Sequence, residues 1–203
     1  MDQHWRSLSF VSIDLEGTGG QDKEKEEILE IGVVKVNGGK ADRQDHFHRL
    51  VRPFRPVPRR PWLSLTNDDV KDALTFDEIK IPLLYFLGQA IMVAHNARVD
   101  WKLLRRKCAT YRPPLVLDTL RLARYAYPGQ KSYRLSDLVH QFRLDQHVRK
   151  TPAFKPHRAL YDAYMTAQLF VFIVESSFPH MTIGEFMRIC GVDIDHGEQG
   201  TLF

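Results

Sequence analysis

Asp14 and Glu16 stand two residues apart at the end of a short apolar run, Leu8 to Asp14. Side chains alternate along an extended chain, so positions i and i+2 point to one side. Two carboxylates placed together repel unless a cation lies between them. Hard divalent cations take such oxygen ligands, and glycines at 17, 19 and 20 let a ligand approach the backbone. Standing alone, Asp-x-Glu is better explained by a solvated strand end. A further acid, Asp100, closes the segment His95-Asn96-Ala97-Arg98-Val99-Asp100. It falls at a helix start, where the dipole favours an acid without any other role. Asp162 lies among Ala159, Leu160, Ala163 and Ala167. A carboxylate in that company is costly unless it is paired or holds a metal. His157 precedes it in an approach loop, where a surface histidine is the plain alternative.

The elements that carry these residues show in the hydrophobic pattern. Leu8–Asp14 reads as a strand. Ile28–Val36 is rich in β-branched residues, Asn37-Gly38-Gly39 gives a turn, and the chain returns around Phe47–Val51, the signature of a hairpin. Arg52–Pro61 is a Pro/Arg loop, unfit for a regular helix or central strand. Thr75-x-x-Glu78 is a capping box that opens a helix to about Leu87. Ala90–Ala94 reads as a buried strand, Val99–Ala109 as an amphipathic helix and Leu115–Leu117 as a strand. Helices follow near Thr119–Tyr127 and Leu135–Phe142. A loop with Pro152 and Pro156 leads to a long helix, about Arg158–Glu175, and a short one spans Ile183–Ile189. Strands first, then alternating helices and strands, predict an α/β domain with a mixed sheet. Residues 1–194 form that domain in this reading, and 195–203 a tail.

Composition bounds the function classes. The chain has 203 residues, enough for one domain with a full core. No apolar run approaches the ~20 residues of a membrane-spanning helix, and the N-terminus lacks the order of a signal peptide. Cys108 and Cys190 are far apart and form no zinc spacing, so buried hydrophobes are expected there. These features predict a cytoplasmic protein. With 29 basic and 25 acidic residues the formal charge is +4, which agrees with a polyanionic partner without demonstrating one.

Taken together and in order, the three segments resemble the DEDDh exonucleases, the DnaQ-like branch of the ribonuclease-H-like fold. Asp14, Glu16, Thr18 and Gly19 match the family's Asp-x-Glu-x-Thr-Gly. His95, Asn96 and Asp100 match His-Asn-x-x-x-Asp, and His157, Ala159, Asp162 and Ala163 match His-x-Ala-x-x-Asp-Ala. The strand ending Leu117-Asp118-Thr119 and the segment Thr182–Phe186 are also similar, so the resemblance runs from about residue 8 to about residue 190. Gly17, Gly20 and Val99 depart from common relatives; the first two would flank the terminal nucleotide and bear on substrate choice more than on catalysis.

The resemblance implies a five-stranded mixed sheet flanked by helices and a 3′–5′ exonuclease, similar to the bacterial DNA polymerase III epsilon-type enzymes. It implies two Mg²⁺ or Mn²⁺ ions, one held by Asp14, Glu16 and Asp162, the other by Asp14 with Asp100 directly or through water. Such a pair, about 3.5–4 Å apart, stabilises the attacking and leaving oxygens of a phosphodiester. His157 would take the proton of the attacking water, and its ordinary pKa of about 6.5 suits that task. Gly17, Thr18 and Gly19 would approach the terminal sugar. His95 and Asn96 line the site or hold its strand-to-helix turn, and Asp118 reads as a helix cap.

Two segments point to partners. Arg52–Trp62 mixes four arginines with aromatics, the means by which single strands are held without sequence preference. A stiff connecting loop is the alternative. Gln199-Gly200-Thr201-Leu202-Phe203 is similar to the Gln-x-x-Leu-Phe peptide with which bacterial replication proteins bind the sliding clamp; a frayed end is the alternative. The substrate expected is the 3′ end of single-stranded DNA, with a DNA polymerase as a further partner. The competing readings are an exoribonuclease resembling RNase T or oligoribonuclease, and a non-catalytic nucleic-acid-binding adaptor.

Overall fold

The computed structural model describes residues 3–19, 22–151 and 154–194. Gly20, Pro152 and the tail with Gln199, Leu202 and Phe203 lie outside them. The first strand, β1 (Phe10–Gly17), alternates as its sequence demands. Phe10 enters one apolar cluster, Val11 and Ile13 the other. Ser12, on the Phe10 side, donates its hydroxyl to the Ala163 carbonyl at 2.8 Å.

The hairpin forms as expected. β2 (Ile28–Asn37) turns through Gly38 and Gly39, both at positive φ, into β3 (Lys40–Leu50). β3 is longer than the pattern predicts. It is an edge strand with mostly exposed polar residues, so its first half carries no hydrophobic alternation.

Next comes α1 (Asn67–Val70), a single turn that the pattern does not predict; its capping box uses Thr66 and Asp69. α2 (Phe76–Leu87) opens on the expected Thr75–Glu78 box. Then follow β4 (Ile91–Ala94), α3 (Arg98–Lys107), β5 (Val116–Asp118), α4 (Thr119–Ala126) and α5 (Leu135–Gln141). The long α6 (Ala159–Ser177) and the shorter α7 (Ile183–Cys190) lead into β6 (Gly191–Val192).

The sheet order is β3-β2-β1-β4-β5-β6. β1, β4 and β5 run parallel, while β2, β3 and β6 make antiparallel contacts. The mixed α/β architecture is as predicted, but the sheet has six strands, not five. β6 has two residues, too short to show a period. α6 crosses β1 and β2, with α4, α5 and α7 around it, over the core of Phe10, Phe170 and Phe186. α2 and α3 cover the opposite face with Leu83, Leu87, Trp101 and Leu104. Cys108 and Cys190 are buried and free, as predicted. Among the described residues no helix is long and apolar enough to cross a membrane.

Candidate active site

The site lies where the parallel strands end. Asp14 and Glu16 stand in the last half of β1, on the face covered by α6. Asp14 is paired in register with Gly32 of β2, and Glu16 with Glu30. Gly32 carries no side chain where the backbone of Ala159 crosses; a Cβ there would overlap the Ala159 carbonyl group. The start of α6 therefore rests on the sheet, and Asp162 comes down beside the two β1 acids. Asp14, Glu16 and Asp162 each offer a carboxylate oxygen within 4.8 Å of the others.

Asp100 is not in that group. It is 6% exposed at the first turn of α3 and accepts a hydrogen bond from the Leu15 N–H at 3.0 Å. Its charge still acts on Asp14, whose pKa is raised well above the ordinary value, first by burial and then by Asp100, Asp162 and Glu16. Burial pushes Glu16 up to about 7, helped by Asp162 and Glu30 and opposed by His157 and Arg158. Burial also carries Asp100 and Asp162 to about 7, against the hydrogen bonds they accept from Leu15 and His157. Such carboxylates crowd, and His157 and Arg158 offset the repulsion only in part, at Glu16. An all-oxygen donor set fits a hard divalent cation, and the surplus charge supplies the reason to bind one.

His157 is exposed, with φ 63°, and its backbone N–H donates to Asp162 Oδ2 at 3.1 Å. The left-handed residue turns the approach loop sharply into α6, near enough for His157 to act on Glu16. Glu30 is a positioning residue that the motifs do not mark. It is wholly buried and accepts from Arg158 Nε and Nη2 at 2.9 and 2.8 Å, from His48 at 2.7 Å and from the Ala159 N–H at 3.2 Å. Burial alone would raise its pKa, but the His48 and Arg158 hydrogen bonds and the Arg158 charge outweigh it and hold Glu30 below its ordinary value. The pair ties the start of α6 to β2. A lone acid within Ile-Leu-Glu-Ile-Gly is the signal that could have found it.

The other expected contact residues hold the frame. Both ring nitrogens of His95 are engaged, Nε2 on the Tyr133 carbonyl at 2.8 Å and Nδ1 on the Thr119 hydroxyl at 2.9 Å. The carbonyl can only accept, so Nε2 bears the hydrogen; burial lowers the His95 pKa, which agrees with a neutral ring. Asn96, at φ 63°, gives its N–H to Asp118 Oδ1, which also caps α4 through Leu120. Thr18 pairs with Glu27 through its backbone at 2.9 Å and its hydroxyl at 3.0 Å. Gly17 ends β1 at a register shift, and Gly19 has φ 60°.

Comparison with known proteins agrees with this geometry. Residues 11–170 match the family model for the RNase T-type exonuclease domain. The DNA polymerase III subunit epsilon of Aquifex aeolicus is 33% identical over 187 residues, covering 89% of this chain and 88% of that protein. The PolC-type DNA polymerase III of Thermotoga petrophila is 34% identical over 181 residues, but this chain spans 12% of its length. Among solved structures, Exonuclease X in complex with 5′ overhanging duplex DNA superposes with a TM-score of 0.68 at 31% identity, covering 90% of this chain and 98% of that one. Carboxylates meeting where β1, α3 and α6 converge, on the sheet these proteins share, place the chain in the exonuclease family, with the ribonuclease-H-like fold of the DEDDh 3′–5′ exonucleases.

Proposed function

We propose that this 3′–5′ exonuclease removes nucleotides singly from the 3′ end of single-stranded DNA, in proofreading or repair, and releases nucleoside 5′-monophosphates. The convergence of Asp14, Glu16 and Asp162 carries the reading. These three would hold one Mg²⁺ or Mn²⁺, and Asp14 with Asp100 a second. Bound there, the ions supply charge stabilisation to the attacking and leaving oxygens. His157 takes the proton of the attacking water, from a loop position that lets the ring adjust to substrate. Gly17, Thr18 and Gly19 bring backbone close to the terminal sugar, while His95 and Asn96 hold the turn that carries α3. An adaptor that has lost catalysis has no physical use for the crowded acids, which disfavours that alternative.

DNA is favoured over RNA by the relatives, a DNA polymerase subunit and a nuclease bound to DNA. The same likeness supports a DNA polymerase as partner, a cytoplasmic setting, and a division into a nuclease domain, 1–194, and a tail, 195–203. Gln199, Leu202 and Phe203 of that tail would enter an apolar groove of a sliding clamp. Deleting the last five residues should abolish clamp binding and spare digestion of free oligonucleotides; equal clamp affinity with and without them discards the idea.

The decisive experiment digests matched single-stranded DNA and RNA with Mg²⁺ or Mn²⁺. DNA should shorten from its 3′ end and yield 5′-monophosphates, faster than RNA. Asp14→Ala and Asp162→Ala should abolish turnover. Full activity in Asp14→Ala would overturn the site, and preference for RNA would overturn the substrate.

A further inference from the structure

Glu30 and Arg158 form an ion pair that stands beside the acids without joining them. Their side chains are 0% and 15% exposed. Arg158 Nε and Nη2 grip the two Glu30 oxygens at 2.9 and 2.8 Å, while His48 and the Ala159 N–H engage the same carboxylate at 2.7 and 3.2 Å. Taking two charges out of water is costly, and apolar residues of similar volume would serve a mere tie as well. The place of the pair points to another use. Glu30 lies opposite Glu16 in the register of β1 and β2. Arg158 stands four residues before Asp162, whose N–H donates to the Arg158 carbonyl at 3.0 Å. An arginine and an aspartate at that spacing along a helix meet readily. The Arg158 charge also reaches Glu16, where it opposes the effect of burial. A guanidinium is thus placed beside two of the three carboxylates that converge. Its planar fork fits a carboxylate bidentately, and it never loses its charge. Released from Glu30, it would be a competing cation tethered at the site, with the high effective concentration that a tether gives. A further acid that acts on it, Asp69, is engaged by Thr66 in the capping box of α1.

We propose that Glu30 holds the Arg158 guanidinium off Glu16 and Asp162, so that a divalent cation can enter between the acids. Glu30 touches neither ion nor substrate; it is a positioning residue that acts through Arg158. Its hydrogen bonds keep it ionised against burial, and His48 and Ala159 orient it to receive both arms of the fork. The proposal rests on the reading of Asp14, Glu16 and Asp162 as metal ligands and adds what keeps that seat open.

The test is Mn²⁺ binding to the full chain by calorimetry at pH 8, with no nucleic acid present. Glu30→Gln should weaken Mn²⁺ binding roughly 10- to 100-fold, the range for residues that arrange a metal's ligands. Arg158→Met should bind Mn²⁺ at least as tightly as the native chain. The double variant, Glu30→Gln with Arg158→Met, should regain nearly all the lost affinity. A tie that served the fold alone would not be repaired by removing its second member. Native affinity in Glu30→Gln, or a loss that persists in the double variant, overturns the proposal. Urea unfolding of each metal-free variant shows whether it folds. If Glu30→Gln does not, Glu30→Asp takes its place: one methylene shorter, it should loosen the fork, lose affinity in the same direction and recover with Arg158→Met. The native chain separates this proposal from the metal reading. Mn²⁺ binding that Asp14→Ala abolishes but Glu30→Gln leaves intact sinks the role of Glu30 alone. A native chain that binds no Mn²⁺ sinks the metal reading with it.

Discussion

The N–H of Leu15 and the carboxylate of Asp100 are joined by a 3.0 Å hydrogen bond across the end of β1. Leu15 points away from the acids that flank it in sequence, yet its backbone fixes the fourth acid. Asp100→Asn keeps an acceptor for that N–H and removes the charge that raises Asp14. Without metal the variant should melt no lower than the native chain at pH 8. With metal, turnover should fall at least about 10-fold. A lower metal-free melting temperature would show that the carboxylate charge supports the fold, contrary to its surroundings.

His157→Ala should reduce kcat by roughly 10²–10⁴-fold, the usual worth of a positioned base. The ring lies outside the carboxylate triad, and it is the His157 backbone that holds Asp162. Mn²⁺ affinity measured by calorimetry should therefore stay within a few-fold of native. A large loss of affinity would make the imidazole a ligand.

The acids link metal, pH and stability. Asp14 is raised, and Glu16, Asp100 and Asp162 titrate near 7 in the folded chain, against about 4 when unfolded. Between those values the folded state binds more protons, so this contribution to stability falls as pH rises from about 4 to about 7. Divalent metal, which favours the ionised acids, should offset the loss. The rise in melting temperature on adding Mg²⁺ should thus grow from pH 5 to pH 8. A rise independent of pH would mean that the ion binds elsewhere.

Arg158→Met leaves the buried Glu30 with His48 and a backbone N–H for company. Removing one member of a buried ion pair costs roughly 3–5 kcal/mol, seen as a lower urea midpoint. Glu30→Gln in the same chain should recover part of the loss, since it deletes the stranded charge. No coupling between the two changes would show that they act independently despite their contact.

Much of this was legible beforehand. The first-strand acids, the capped α2 and the hairpin follow from local periods, and Asp14, Glu16 and Asp162 meet because alternation and a helical turn bring them together. The rest depends on contacts across the fold. Nothing near Arg158 in sequence announces Glu30, 128 residues away. Asp100 is expected beside Asp14 at a second ion, but what holds its carboxylate is the Leu15 N–H, a backbone group that no motif encodes. His95 has the residue type of a substrate contact, yet both its nitrogens are spent on Thr119 and Tyr133. β6 has no signal in the sequence because two residues carry no rhythm.

The bare meeting of Gly32 with Ala159 has a consequence for ion choice. The backbones that carry Asp14 and Asp162 are spaced by main chain lying on main chain, which no rotamer change can relax. A seat of that kind leaves only the two side chains to adjust to a larger guest. Mg²⁺ demands oxygens at about 2.0–2.1 Å and Ca²⁺ accepts about 2.3–2.6 Å, so a stiff glycine contact would favour the smaller ion, and Ca²⁺ should raise the melting temperature less than Mg²⁺ does.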